Sequence, residues 1–320
     1  MFINVIVCTY NRCQLLSKAL QSIVESKVPS SAEWEILVVD NNSSDQTCHV
    51  VADFSGRYPG RFRYHLEPQQ GLSAARNAGV RMSRGEVLAF TDDDVVVEPD
   101  WLWNLTATLG SGEWAGAGGR IVPVWPGVPP RWMPSNILVL GPIVAFDLGR
   151  VAVPLNEAPI GANMAFRREA FEKHGDFRTD LGRCGDSLRN GEDSEFGWRL
   201  LGAGERLRYE PAAVVHHPVP EDRLRKEYLL SWFFENGRSS VVTSGIPGEG
   251  TWSLAGVPIR LFRRLARWSV QWAISIKPSD RFSCKSKVWG IAGTILECYQ
   301  LSRRGGRTGR RSEPSSGSVL

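Results

Sequence analysis

Three consecutive carboxylates, Asp92-Asp93-Asp94, close a short apolar run over residues 87–90 that ends in Thr91. Side by side such groups repel one another, and only a cation or full solvation makes the arrangement cheap. Carboxylate oxygens with room for water and phosphate are the ligand set of Mg2+ or Mn2+. Two other strand-like runs also end in polar clusters: Cys8-Thr9-Tyr10-Asn11-Arg12 after residues 3–7, and Asp40-Asn41-Asn42-Ser43-Ser44-Asp45 after residues 36–39. Taken alone, the second reads as a solvated turn with a helix cap. A further cluster, Gly191-Glu192-Asp193-Ser194-Glu195, opens a helix-like stretch. There Asp193 or Ser194 is either an N-cap with acidic company suited to the helix dipole, or Asp193 is a general base for an attacking hydroxyl. One base, with no second carboxylate acting as nucleophile, fits a single displacement with inversion. Residues 211–220 contain His216-His217. A lone histidine is more often structural, yet a neutral imidazole near a carboxylate-bound metal is a credible ligand.

Absent motifs narrow the chemistry. No GxGxxG follows the first strand and no GxxxxGK[ST] occurs, so neither a dinucleotide fingerprint nor a P-loop is supported. A sheet that must hold a diphosphate without a glycine cradle needs another source of positive charge. A divalent metal on Asp94, together with Arg76, would supply it.

Elements that could position these groups follow from periodicity. Residues 3–7 and 36–39 are β-branched runs, and between them residues 14–25 carry Leu15, Leu16, Ala19, Leu20 and Ile23 on one helical stripe. This is a strand–helix–strand unit of the kind that builds parallel sheets. Strands are expected at 62–65 and 87–90, with a helix over 73–82 between them. An open α/β sheet binds ligands at the C-terminal ends of its strands, where the polar clusters lie. The stretch 110–158, rich in Gly, Pro and Trp, gives no assignment and reads as an insertion or a pocket-shaping loop region. Helices are expected again over 168–174 and 193–201.

The order VIVCTYNR, EILVVDNNSSD, GLSAARNAG, GEVLAFTDDD, GANMAFRRE, GEDSEFGWRL and AAVVHHP resembles the family 2 glycosyltransferases of the GT-A fold, over residues 2 to about 240. The resemblance implies an α/β, GT-A fold: an open, mostly parallel sheet with a Rossmann-like N-terminal half, plus a C-terminal helical extension. It implies an inverting, metal-dependent enzyme that moves a single sugar from a nucleoside-diphosphate donor of UDP or GDP type to an acceptor hydroxyl. The acceptor would be a glycan or a lipid-linked precursor in polysaccharide biosynthesis. Thr9, Tyr10 and Asp40 would hold the nucleoside, with Asn42 nearby and Arg76 against the base or diphosphate. Asp92 and Asp94 match the ends of the DxD motif, with Asp94 the direct ligand of Mn2+ or Mg2+ and His217 a further metal or diphosphate contact. Gly161 and Asn163 would line the sugar and acceptor side, with Glu192 beside the base Asp193. The QxxRW segment of the family's membrane-spanning synthases is missing, which favours single transfer over processive synthesis.

Two other readings remain. A catalytically dead GT-A domain would serve as a sugar-binding or membrane scaffold, though such a site usually loses a metal aspartate or the base, and Asp40, Asp92, Asp94 and Asp193 all stand. A sugar nucleotidyltransferase would want a Gly-rich, basic loop after the first strand, and residues 8–16 have no glycine.

Composition sets the frame. A chain of 320 residues, 42% hydrophobic and 22% charged, accommodates one large domain or a domain with an appendage. We expect a catalytic domain over 1–222, a basic helical region over 223–302 and a disordered tail over 303–320. The six cysteines show no CxxC pairing and read as reduced thiols. Met1 leads straight into a strand-like run, so no secretory leader is expected. The longest apolar candidate for a span, 137–146, is too short and broken by Gly141-Pro142. The net charge of +4 hides an asymmetry, because residues 254–312 carry 13 Lys+Arg against 2 Asp+Glu. Residues 257–276 read as an amphipathic helix with Leu261, Leu265, Trp268, Trp272 and Ile276 on one side and Arg260, Arg263, Arg264 and Arg267 on another. It either packs on the catalytic domain or lies on an anionic membrane surface. The expected location is cytoplasmic, peripheral on the cytosolic face of the membrane if lipid is the partner. Nucleic acid is not expected, since no recognition motif accompanies the charge.

Overall fold

The structure, a computed structural model, describes residues 1–134, 141–185, 187–247 and 252–308. The candidate span at 137–146 falls partly outside them. The elements run β1 (Phe2–Thr9), α1 (Cys13–Val24), β2 (Glu33–Asp40), α2 (Thr47–Arg57), β3 (Phe62–Leu66), α3 (Leu72–Met82), β4 (Val87–Asp92), β5 (Val96–Val97) and α4 (Trp101–Thr106). They continue with β6 (Gly116–Val124), β7 (Val153–Leu155), β8 (Asn163–Arg167), α5 (Arg168–His174), α6 (Glu192–Gly202) and β9 (Leu207–Pro218). The C-terminal part holds α7 (Lys226–Ser244), β10 (Ser253–Leu254), β11 (Val257–Pro258), α8 (Ile259–Ile274) and α9 (Pro278–Thr308).

Nine strands form one mixed sheet in the order β3-β2-β1-β4-β8-β6-β9-β5, with β7 on the flank of β9. The first four are parallel, β8 runs against both β4 and β6, and β6 is parallel to β9. Parallel strands covered on both faces read as unbroken β-branched runs, and β1 buries Ile3, Val5, Ile6 and Val7 together. Buried Asn4 ties the start of that strand to the next crossover, accepting the N–H groups of Arg84 at 2.9 Å and Gly85 at 2.6 Å. Helix α1 buries Leu16, Ala19, Leu20 and Ile23, while Leu15 points outward. Helix α3 carries Ala74, Ala75, Ala78 and Gly79 on its inner side, and Gly79 lies against the Ile6 side chain with no room for a Cβ. Small residues there let the helix sit close to the sheet, which fixes the height of Arg76 beneath the strand ends.

The unassigned stretch contains β6, whose GAGGRIVPV sequence hides a central strand. Gly116 faces the Phe166 ring, Gly118 faces Pro159, and Gly119 faces the Asn163 amide and the Ala213 carbonyl. Neighbouring side chains fill the space that a β-branched residue would normally occupy.

The chain divides into two compact units, Met1–Pro130 with Ser135–Arg225, and Arg131–Pro134 with Lys226–Leu320. In the second unit α7 and α9 meet through glycines: Gly237 abuts the Gly290 carbonyl and Gly293 the Phe234 carbonyl. Arg238 donates to Glu297 across the same contact at 2.8 Å. The expected helix over 257–276 begins later and ends earlier, because Val257 and Pro258 form β11 and Ile276 lies beyond the last turn, 95% exposed. Its tryptophan side packs on α9, with the Trp272 and Trp289 rings edge-on at 6.1 Å and Lys287 3.8 Å above Trp268. The expected tail from residue 303 begins inside α9, and residues 309–320 lie outside the described residues. Among the described residues no helix is long and apolar enough to cross a membrane.

Candidate active site

The parallel register places the polar clusters side by side. Thr9 pairs with Asp40 across β1 and β2, and Cys8 pairs with Asp92 across β1 and β4. The turn after β4 then presents Asp93 and Asp94, and the far end of β9 brings in His217. One atom from each of Asp92, Asp94 and His217 falls within 4.8 Å of the others. The His217 Nδ1 lies 3.0 Å from the Pro218 carbonyl. As Nδ1–H it donates there and leaves the Nε2 lone pair free, the usual orientation of a ligating imidazole. That Nε2 stands 3.4 Å from Asp94 Oδ1, beyond a normal hydrogen bond, and this buried oxygen has no partner among the described residues. Two lone pairs facing each other in a buried site are compensated by a cation between them. The donor set of two carboxylates and one imidazole fits Mn2+ or Mg2+.

Asp93, which the spacing of the motif leaves unassigned, works beneath this trio. It accepts the Thr9 hydroxyl at 2.7 Å and Arg12 Nη1 at 3.1 Å. The same Nη1 reaches Asp94 Oδ2 at 3.1 Å, and Arg223 Nη2 stands 3.9 Å from that oxygen. Burial, and then the charge of Asp94, push the Asp93 carboxyl up to about 7. Arg12 closes the polar cluster after β1 but was given no role there, and Arg223 carried no signal in the sequence beyond its charge.

At the end of β2 Asp40 accepts the Ser43 N–H and the Tyr64 hydroxyl, each at 2.8 Å. Burial, and then the bond to Asp40, raise the Tyr64 phenol above its ordinary range. Nothing in the strand FRYHL had marked Tyr64. Tyr10 is 43% exposed at the rim, and Asn42 adopts φ +67°, a conformation that asparagine tolerates better than most residues.

The base side joins the metal side through one buried arginine. Arg76 donates to Glu192 Oε1 at 2.6 Å and stands 3.6 Å from Asp92 Oδ1. Its guanidinium thus stands between two carboxylates of the protein, beside the strand end that carries Asp92. Gly161 must be glycine, since a Cβ there would meet this guanidinium. The Gly161 N–H donates to Asp193 Oδ2 at 2.8 Å. Asp193 Oδ1 takes the N–H of Ser194 at 2.6 Å, while Gly191 occupies the N-cap position of α6 and no side chain caps that helix. Asp193 therefore bridges the first turn of its own helix, through Oδ1, and the GAN segment, through Oδ2. Glu192 beside it is buried, and that burial, then the charge of Asp193, push its carboxyl up to about 7. Asn163 is buried, and its Nδ2 donates to the Arg120 and Ala213 carbonyls at 2.9 and 2.8 Å while its Oδ1 accepts from Trp101 at 2.8 Å. The amide thereby ties β6, β9 and α4 together behind the GAN segment.

Comparison with known proteins places the chain in a family. The family model for glycosyl transferase family 2 matches residues 4–175. The succinoglycan biosynthesis protein ExoM of Rhizobium meliloti is 30% identical over 238 residues, 74% of this chain and 73% of its own length. A glucosyl-dolichyl phosphate glucuronosyltransferase of Haloferax volcanii is 28% identical over 248 residues, 76% of this chain and 77% of its own. Among solved structures, a mannosyltransferase of Pyrobaculum calidifontis in complex with GDP-Man and Mn2+ superposes with a TM-score of 0.55 at 19% identity. That match covers 99% of this chain and 76% of the other, a likeness of fold.

Proposed function

The chain belongs to glycosyl transferase family 2, with the GT-A fold, and on that premise we propose that it transfers one sugar from a nucleoside-diphosphate donor to an acceptor hydroxyl with inversion. The observation that carries this reading is the placement of Asp193. Its Oδ2 faces Gly161, and through its neighbour Glu192 and then Arg76 it is linked to Asp92. Asp193 takes the proton of the acceptor hydroxyl as that oxygen forms its bond to the sugar C1. The C1–O bond to the diphosphate breaks in the same displacement, and the electron pair leaves with the diphosphate. Asp92, Asp94 and His217 would hold Mn2+ or Mg2+, which when bound supplies charge for the diphosphate. Arg76 and Glu192 keep the two ends of the site in register, and Asp40 with Tyr64 faces the nucleoside. A glycan-building role follows the kind of protein that the relatives are.

In the test, Asp193→Asn keeps the Gly161 contact but cannot accept a proton. Turnover should fall by about 10²–10⁴ with donor affinity little changed. Loss of donor binding in parallel, or a product of retained anomeric configuration by NMR, would refute single displacement with Asp193 as base.

An anionic membrane surface is the second partner that we propose, on a different face of α8 from the one expected. With the tryptophans packed on α9, the residues left outward are Phe262, Ala266, Val270, Ala273 and Ile274, with Val270 58% and Ile274 63% exposed. Arg260, Arg263, Arg264 and Arg267 run beside this stripe and are exposed too. An apolar floor with a cationic edge suits the boundary of headgroups and acyl chains.

A further inference from the structure

Among the described residues of the site one strong donor is left over. Arg223 lies in the 3-10 turn Glu221–Leu224 just past β9 and is only 6% exposed. The turn is held by its backbone N–H, which donates to the Pro220 carbonyl at 3.0 Å and to Asp222 Oδ1 at 2.9 Å. Its Nη2 stands 3.9 Å from Asp94 Oδ2, an oxygen that Arg12 already holds at 3.1 Å. Its Nη1 is buried and has no partner among the described residues. A guanidinium does not shed its proton in a protein, and a buried charge without a full complement of acceptors is costly. An anion that comes to the Asp94 side of the site would supply the missing acceptor and match the charge.

Resting on the nucleotide-sugar reading, we propose that Arg223 is the binding group for the donor's diphosphate, taking two phosphate oxygens on the fork of Nη1 and Nη2. The spacing of that fork matches phosphate oxygens in a bidentate contact, which a carboxylate-held single nitrogen cannot make. As the C1–O bond breaks, negative charge moves onto the departing diphosphate. A fixed cation in a water-poor site then gains most where that charge grows. Arg223 thus serves the leaving group, while Arg12 and Arg76 serve the carboxylates of the protein itself. A positioning role, in which Arg223 only holds Asp94 in place for the metal, makes different predictions.

The experiment uses the full chain as wild type, Arg223→Gln and Arg223→Lys. Mn2+ alone is titrated by calorimetry. UDP, GDP, CDP, ADP and dTDP are then titrated with Mn2+ present, followed by the monophosphate of whichever binds tightest. In Arg223→Gln the Mn2+ affinity without nucleotide should be unchanged or tighter, since a cation near Asp94 has gone. Affinity for the nucleoside diphosphate should fall about 10- to 100-fold, the worth of a charged hydrogen-bonded contact, and affinity for the monophosphate by less. Lysine should restore part of the loss, because it keeps the charge without the fork. The metal-free melting temperature should hardly drop, because the 3.9 Å approach to Asp94 Oδ2 is too long for a hydrogen bond and Arg12 still holds that oxygen. Equal diphosphate affinity in wild type and Arg223→Gln would overturn the proposal, and so would a loss that Mn2+ binding alone reproduces in full. A metal-free melting temperature well below wild type in both variants would make Arg223 structural and overturn it as well. Wild type that binds none of the five diphosphates would instead sink the nucleotide-sugar donor on which the proposal rests.

Discussion

Asp94 works through two oxygens with different neighbours, Oδ2 toward Arg12 and Arg223 and Oδ1 toward His217. Asn at this position keeps the shape but removes the charge from both sides. Asp94→Asn should lose Mn2+-dependent stabilisation by nucleoside diphosphate and lose transfer, with the folded state retained. At about 100 times its Kd a ligand raises stability by about 2.7 kcal/mol, so a thermal-shift series with and without Mn2+ reads the effect. Full transfer by this variant, or by wild type in excess EDTA, would end the metal-assisted reading. At this scale the sequence was informative where like charges crowd, because three adjacent aspartates have few stable explanations. It was silent on Tyr64 and Arg223, whose partners Asp40 and Asp94 lie 24 and 129 positions away and are set only by the sheet. It was silent too on the protein partners of Arg76 and Asn163, Glu192 for the first and the Arg120 and Ala213 carbonyls for the second.

The elements divide in the same way. Strands β1, β2 and β4 and helices α1 and α3 were legible because apolar periodicity and burial agree in them. Strand β6 was not, since its glycines make way for Phe166, Pro159 and Asn163 from other parts of the chain. Helix α8 was legible as an amphipathic helix but not in the use of its faces, because a tryptophan stripe looks the same whether lipid or another helix covers it. With α9 on that stripe, the lipid-facing candidates are Phe262, Val270 and Ile274. The full chain should co-sediment with vesicles containing phosphatidylserine, more weakly as salt rises, each arginine contributing about 1 kcal/mol near the surface. Arg263→Glu with Arg267→Glu, or Phe262→Ser with Ile274→Ser, should reduce binding while the melting temperature holds. Truncation before α9 is a poor test, since it would strip α7 of its glycine-lined partner. No co-sedimentation at low salt, or equal binding to neutral vesicles, would count against the membrane partner.

For the whole molecule, pH reports on how these carboxylates are housed. Asp93 and Glu192, with ordinary values of 3.8 and 4.5, are both held near 7 by burial. Below about pH 4 the unfolded chain keeps these protons too, and the folded state enjoys their full contribution. As pH rises through 7 the folded protein must lose them, so that contribution disappears. Asp180 and Glu205 act oppositely, lowered by their bonds to Arg178 and to Lys173 with His174, and their contribution is lost in acid. The metal-free protein should therefore melt highest near pH 4–5, decline up to about pH 7 and level off above it. Glu192→Gln should flatten the upper limb, since the amide still accepts from Arg76 but does not titrate. A melting temperature that climbs steadily from pH 5 to pH 8 would show that these acids are not buried as described.

The arginines around the aspartates have one more consequence. Asp92, Asp93 and Asp94 each face a guanidinium, from Arg76 or Arg12, before any ion arrives. Folding is thus decoupled from loading, unlike a structural zinc module that collapses when stripped. An ion that the scaffold does not require would be free to exchange between catalytic cycles, so turnover would follow its ambient supply while the fold stayed indifferent to it.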